Sequence, residues 1–245
     1  MSKRNKNFKQ NQILQEQKQQ DKKLKEKLAI EHIIPKNFGI KFKNESQKQY
    51  WEEIHTNEIV LCSGPAGTGK SFISIAKAIN LLLDKNNEYN KIIIVKPVIE
   101  ADEKIGYLPG NLDEKLEPYV YSSIYLFEKL IGKEATQKLI DNEYIDIMAL
   151  AYLRGVNIDN SILLFEEAQN STPRQMKTIL TRIGENSKFI ISGDLEQNDR
   201  FDKKEKTGLY NAMIKLKNIK SIGLFEFNEK HIIRNPIITE ILKKI

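Results

Sequence analysis

The 245-residue chain is 40% hydrophobic and carries a formal net charge of +6, enough apolar material for one substantial core and less readily for two. No apolar run approaches the roughly 20 residues that cross a bilayer, and the polar N-terminus lacks the apolar stretch of a signal peptide, so a cytoplasmic protein with no membrane contact is expected. The single cysteine, Cys62, rules out an intramolecular disulfide, and His32, His55 and His231 lack metal-ligand spacing, which excludes sites built on Cys and His.

Residues 1–30 hold nine Lys or Arg against three acids, which leaves 30 residues of each sign in 31–245. The basic segment is rich in Lys, Gln and Asn and poor in apolar residues, so on its own it does not offset the entropy of ordering. It is expected to be a low-complexity tail or a marginal helix. An electrostatic handle for RNA or DNA phosphates and a solvated arm that only aids solubility both remain open for it. The rest of the chain, 31–245, is expected to form one domain.

Short β-branched runs follow in order: EIVLCSG (58–64), KIIIVKP (91–97), SILLFEE (161–167), KFIISGD (188–194) and SIGLFEF (221–227). Amphipathic, helix-like stretches lie between them, including SFISIAKAINLLL, TPRQMKTILTRIG and TGLYNAMIKLKNI. Strands alternating with helices predict an α/β fold with a mostly parallel sheet covered on both faces. Cys62, inside the run IVLC, is expected to be a buried thiol.

The strongest local signal is GPAGTGKS, residues 64–71, a complete Walker A pattern between a strand and a helix. In a P-loop, Gly64, Pro65, Ala66, Gly67, Thr68 and Gly69 form the bend whose N–H groups face a phosphate chain at a helix N-terminus. Lys70 is expected to reach the β- and γ-phosphates of ATP, and the Ser71 hydroxyl to ligate Mg²⁺.

The run ILLFEEAQN (162–170) ends in two adjacent glutamates. Neighbouring side chains of a strand point to opposite faces, which allows Glu166 and Glu167 separate tasks. A P-loop hydrolase needs a carboxylate in the Mg²⁺ shell and a second group to orient or deprotonate water. Glu166 fits the first role and Glu167 the second. The strand at 91–97 lies between Walker A and this pair in sequence, which suits the P-loop class that inserts a strand between the two. In ISGDLEQND (191–199), Asp194 and Gln197 fall where another strand stops. Gln197 could touch both γ-phosphate and attacking water; the alternative is an ordinary Gly-Asp turn.

The combination of GPAGTGKS, VKPVIEADEKIGYLPGNLDEKLEPY (95–119), ALAYLRG (149–155), FEEAQNSTPRQMKTILTRIGENSK (165–188), SGDLEQND and TGL (207–209) closely resembles the PhoH family of bacterial and phage ATPases, from about residue 38 to 245. The resemblance implies a RecA-like core, similar to one motor domain of the superfamily 1 helicases, that hydrolyses ATP and is linked to RNA metabolism. It also makes Gln47, in SQKQYW, look like a glutamine that reads adenine through its side-chain amide; a polar residue opening a helix is the plainer reading. Trp51 and Tyr50 either flank the base or pack in the core. Arg234, in NEKHIIRNP, occupies the place of the family's late arginine and is the candidate cation for the transition state, with Arg154 as the second candidate.

One residue departs from the pattern. The family's usual acid before the catalytic glutamate is Asp, whereas this chain has Glu166, one methylene longer, which moves the carboxylate by about 1.5 Å along the bond direction. Because helicase motors close two lobes on ATP and residues 31–245 supply one, a second subunit is expected to complete the machine, in a homo-oligomer such as a ring. Tyr107, in EADEKIGYLPG, is a candidate for stacking on single-stranded bases. The preferred expectation is an ATPase coupled to single-stranded RNA, helicase-like, in the host cytoplasm if phage-encoded. A nucleotide-gated binding module with slow hydrolysis and a small-molecule P-loop kinase are the alternatives.

Overall fold

The computed structural model describes residues 24, 25, 27–97, 112–197, 201, 203 and 206–233. Its elements are α1 (Glu45–Thr56), β1 (Ile59–Ser63), α2 (Lys70–Leu83), β2 (Lys91–Val95), α3 (Leu112–Ile131), α4 (Lys133–Asp141), β3 (Ile145–Ile147), β4 (Ser161–Phe165), α5 (Pro173–Leu180), β5 (Lys188–Gly193), α6 (Gly208–Leu216) and β6 (Ile222–Glu226). The six strands form one sheet in the order β3-β2-β4-β5-β1-β6, with every pairing parallel.

Period-two alternation divides the strands' apolar side chains between two cores. Val60, Cys62, Ile92, Ile94, Ile162 and Leu164 face α1, α2, α3 and α4. Their neighbours Leu61, Ile93, Val95, Leu163 and Phe165 face α5 and α6. Strands buried on both faces read as unbroken apolar runs, and β1 and β4 are buried at every position.

Local chemistry fixes the helix starts. The Asn44 side chain accepts the Gln47 N–H at 2.9 Å to open α1, and Thr172 with Gln175 forms a reciprocal capping box, with proline in the first turn of α5. The helix expected to run on to residue 184 stops at Leu180. Ile183 instead pairs with Ile158 as a parallel bridge, and the Gly184 N–H donates to the Ile158 carbonyl at 2.9 Å.

Two sequence expectations gain detail. The strand lying between β1 and β4 is β5, whereas β2 sits on the far side of β4. Residues 27–33 are helical, with Ile30 fully buried and Ile34 nearly so. Lys27, 3% exposed, donates to the Leu82 carbonyl at 2.7 Å, Asn87 Oδ1 at 3.2 Å and the Tyr89 carbonyl at 2.5 Å. Ordered structure therefore crosses the boundary expected at residues 30 and 31, because Lys27 caps the C-terminal end of α2.

Parallel pairing brings the C-terminal ends of β1, β4 and β5 to one edge of the sheet. Ser63 lies opposite Gly193, and Phe165 opposite Ile191. Loops leaving these ends are where open α/β sheets place their ligands.

Candidate functional site

Between β1 and α2 the Walker A residues wrap a cavity of about 250 Å³. Ala66, Gly67, Gly69, Lys70 and Ser71 line one side, and Glu167, Ser192, Gly193, Asp194 and Gln197 line the other. Gly69 opens α2 with φ at 91° and, as a glycine, supplies no side-chain cap of its own, the arrangement in which a helix N-terminus presents its N–H groups to an anion. A Cβ at Gly69 would stand 2.6 Å from Gln47 Nε2; glycine is required for both its backbone angle and its space.

The loop is braced from within and from outside. Thr68, fully buried, donates its hydroxyl to the Pro65 carbonyl at 2.9 Å. Lys70 Nζ donates to the carbonyls of Gly64 at 2.6 Å and Pro65 at 3.0 Å, so the ammonium lies folded over its own loop. Gln47, 1% exposed, donates from Nε2 to the Thr68 carbonyl at 3.0 Å and accepts the Lys43 N–H at 2.9 Å. The Ile233 N–H donates to the Gly67 carbonyl at 3.0 Å. Gln47 thus sits against the P-loop with both ends of its amide engaged by backbone.

Just beyond the end of β4 the two glutamates separate, not by strand alternation but because the backbone turns left-handed at Glu167. Glu166 is buried and Glu167 is exposed. Glu167 has φ at 52°, a left-handed conformation that costs a non-glycine residue energy and tends to occur where function holds it. Glu166 Oε2 accepts a hydrogen bond from the Ser123 hydroxyl and forms an ion pair with Lys96 Nζ at 3.4 Å. Lys96 in turn donates to Ser122 Oγ at 2.6 Å. The extra methylene of Glu166 is accommodated by this grip from α3 and the end of β2, while its second oxygen, Oε1, is buried with no hydrogen-bond partner.

Asp194 and Gln169 tie the walls of the cavity together. Asp194 Oδ2 accepts the Ala66 N–H of the P-loop at 3.0 Å, and Oδ1 accepts the Glu196 N–H at 3.1 Å. Gln169, 2% exposed, accepts the Asp194 N–H at 3.0 Å through Oε1 and donates from Nε2 to Glu167 Oε2 at 2.7 Å and to the Gln197 carbonyl at 3.2 Å. Gly193 leaves room for this amide, since a Cβ there would stand 2.5 Å from Gln169 Oε1. Sequence reasoning passed over Gln169 and left Asp194 without a partner. The available signal was a polar Ala-Gln-Asn run directly after a buried strand.

A phosphate-bound Mg²⁺ needs few protein ligands, typically one or two oxygens. Ser71 is on the cavity wall, whereas Glu166 lies behind Glu167, outside the cavity lining, with Oε2 held by Ser123 and Lys96 and only Oε1 lacking a partner among the described residues. Among the described residues, no group of three or more His, Cys, Asp or Glu is arranged to hold a metal by itself.

Gln197 lines the cavity and is exposed. Arg154 is exposed at the end of the short turn Leu150–Leu153, outside the cavity lining. Arg234 and Tyr107 lie outside the described residues. Tyr50 is fully buried and shares a 2.8 Å hydrogen bond with Ser74, and Trp51 lies under Lys77 Nζ, 4.3 Å from the ring centroid; both serve packing. Burial pushes the Cys62 thiol up to about 12, as an inert core residue requires. No described helix is long and apolar enough to cross a membrane.

A Walker A bend between the first strand and helix of an all-parallel six-stranded sheet, faced by acids at the ends of β4 and β5, defines an α/β protein of the P-loop NTPase class. More particularly, the chain belongs to the PhoH-like protein family, whose profile matches residues 39–245. It is 38% identical over 208 residues to the PhoH-like protein of Bacillus subtilis (strain 168), covering 85% of this chain and 64% of that protein. It is 34% identical over 197 residues to Protein PhoH of Escherichia coli (strain K12), covering 80% of this chain and 55% of that one. The chain therefore spans between 55% and 64% of the length of these two relatives. Solved structures of Bacteroides Pif1 bound to single-stranded DNA and of Bacteroides sp. Pif1 with ADP-AlF4 overlap it with TM-scores of 0.39 and 0.43 at 14% and 13% identity. Each overlap covers 84% of this chain and 46% of the other, and both are too loose to bear on function.

Proposed function

We propose that the chain is a Mg²⁺-dependent ATPase whose turnover is coupled to binding or remodelling of single-stranded RNA. The observation that carries this reading is one cavity bounded by Gly67, Lys70 and Ser71 on one side and Glu167, Asp194 and Gln197 on the other. Phosphate-binding groups and a candidate water-activating acid thus face each other across the space a triphosphate needs.

In this reading ATP binds with its phosphates along the N–H groups of residues 64–71, and Lys70 exchanges the carbonyls of Gly64 and Pro65 for phosphate oxygens. Ser71, with Glu166 behind the cavity wall, would hold Mg²⁺, whose chemistry there would be neutralisation of phosphate charge. Glu167 orients the attacking water and takes its proton, and Gln197 lies between that water and the γ-phosphate. Gln47, fixed to the loop at Thr68, reads the adenine with the Nε2 hydrogen and Oε1 lone pair that its bonds to Thr68 and Lys43 leave over. Arg234 supplies positive charge during transfer; it directly follows Ile233, which is bonded to the Gly67 carbonyl. A homo-oligomer, such as a ring, provides the second lobe in a cytoplasmic setting.

Phosphate release measured with Mg²⁺ and ATP, with and without a single-stranded RNA, tests the reading. Hydrolysis that RNA accelerates severalfold is expected. Hydrolysis indifferent to RNA removes the coupling, and no phosphate release under either condition removes the ATPase assignment.

A further inference from the structure

Helix α3 presents different side chains to the cavity and to solvent. Inward, Leu126 lines the cavity wall and the buried Ser123 donates to the buried Glu166. Toward solvent, Tyr121 and Tyr125, one helical turn apart, are 64% and 44% exposed. Their rings stack with centroids 6.5 Å apart and planes inclined by 23°, an offset arrangement within the usual range for aromatic pairs. One turn further, Lys129 Nζ stands 5.2 Å over the Tyr125 ring.

Exposed tyrosines need an explanation when they are aligned, near-parallel and followed by a cation. Burial does not explain them, because the core-facing positions of the same helix are Val120, Phe127 and Ile131. Two flat rings followed by a lysine match the bases and phosphates of a single strand: bases stack on the ring faces that the widely offset pair leaves open to solvent, and the ammonium leaves the Tyr125 ring to meet a phosphate. Duplex nucleic acid hides its base faces, so a single strand is the form that fits.

We infer that Tyr121, Tyr125 and Lys129 form a stacking platform for single-stranded nucleic acid on the solvent face of α3. This inference rests on the proposed coupling to single-stranded nucleic acid and gives that coupling a location. The same helix lines the nucleotide cavity with Leu126 and holds Glu166, next to the lining residue Glu167, through Ser123, so a strand that shifts α3 reaches the cavity wall.

The test is the affinity of the full chain for a fluorescein-labelled single-stranded 15-mer oligouridylate, read by anisotropy at low salt, together with basal phosphate release. Alanine at both Tyr121 and Tyr125 is expected to weaken binding by roughly thirtyfold or more, since stacking on one ring is commonly worth fivefold or more. Phenylalanine at both positions should retain near wild-type affinity. Basal ATP hydrolysis should be unchanged in both variants, while the oligonucleotide concentration for half-maximal stimulation rises by about the same thirtyfold in the alanine variant. Wild-type affinity in the alanine variant overturns the platform and leaves the coupling proposal standing. A wild-type chain that binds no single strand at all overturns both. If the alanine variant binds RNA normally but sediments as a smaller species, the tyrosines join copies of the chain and the platform is likewise overturned.

Discussion

Replacing Gln169 with leucine removes three hydrogen bonds at once while nearly preserving side-chain volume. The Asp194 N–H loses its acceptor at 3.0 Å, and Glu167 Oε2 and the Gln197 carbonyl lose donors at 2.7 and 3.2 Å. The last two groups belong to exposed residues and rehydrate at little cost, whereas Asp194 is only 7% exposed. An abandoned buried donor costs about 1–3 kcal/mol. For a domain of this size that corresponds to a melting temperature roughly 2–12 °C lower. Glu167 and Asp194 would lose their common anchor, and an active-site group displaced by about 1 Å commonly costs on the order of a hundredfold in rate. Thermal unfolding and steady-state ATP hydrolysis measure the two effects. A leucine variant that melts and turns over like the wild type would refute the role assigned to this glutamine.

Glu166→Asp shortens the acid to the length usual in the family; with Mg²⁺ and ATP it should retain or raise turnover, as a phosphate-release assay reads directly, even though the shorter side chain loosens the contacts with Ser123 and Lys96. Lys188 is inserted among the carbonyls of Ile54, His55 and Asn57 at the end of α1, and burial, with a smaller contribution from Lys77, lowers its pKa to about 8. An unfolded lysine holds its proton to about pH 10.4, so between these values the unfolded state binds more protons and stability rises with pH. The urea stability of the wild type relative to Lys188→Met should therefore increase from pH 7.5 to 9.5, and a flat or falling difference would contradict the shift. Cys62, fully buried with a thiol pushed up to about 12, should resist a thiol reagent at pH 8 in the native protein and react promptly in urea.

Much of the site was legible because its grammar is local. Walker A is contiguous, lies between a fully buried strand and an amphipathic helix, and its lysine and serine line the cavity. The adjacent glutamates do part, one buried and one exposed, but the cause was not legible: both lie past the end of β4, and a left-handed turn at Glu167, not strand alternation, separates them. Strand β3 was missed because its three residues, Ile145–Ile147, are too few to display a period. The bond between Asp194 and the Ala66 N–H joins positions 128 residues apart, and the Gln169 junction depends on β5 lying beside β1 and β4. No spacing in the sequence encodes that adjacency. Lys27 was read as one more charge in a basic tail; only the open carbonyls at the end of α2 reveal it as a buried cap.

The central claim is that triphosphate and the Glu167 carboxylate meet in one cavity. It is tested most directly by measuring equilibrium binding of a fluorescent ATP analogue alongside single-turnover hydrolysis in the wild type, Lys70→Ala and Glu167→Gln. The account predicts that Lys70→Ala loses affinity, whereas Glu167→Gln binds as tightly as the wild type and hydrolyses at least about a hundredfold more slowly. Full-rate hydrolysis by Glu167→Gln, or undiminished binding by Lys70→Ala, would contradict it.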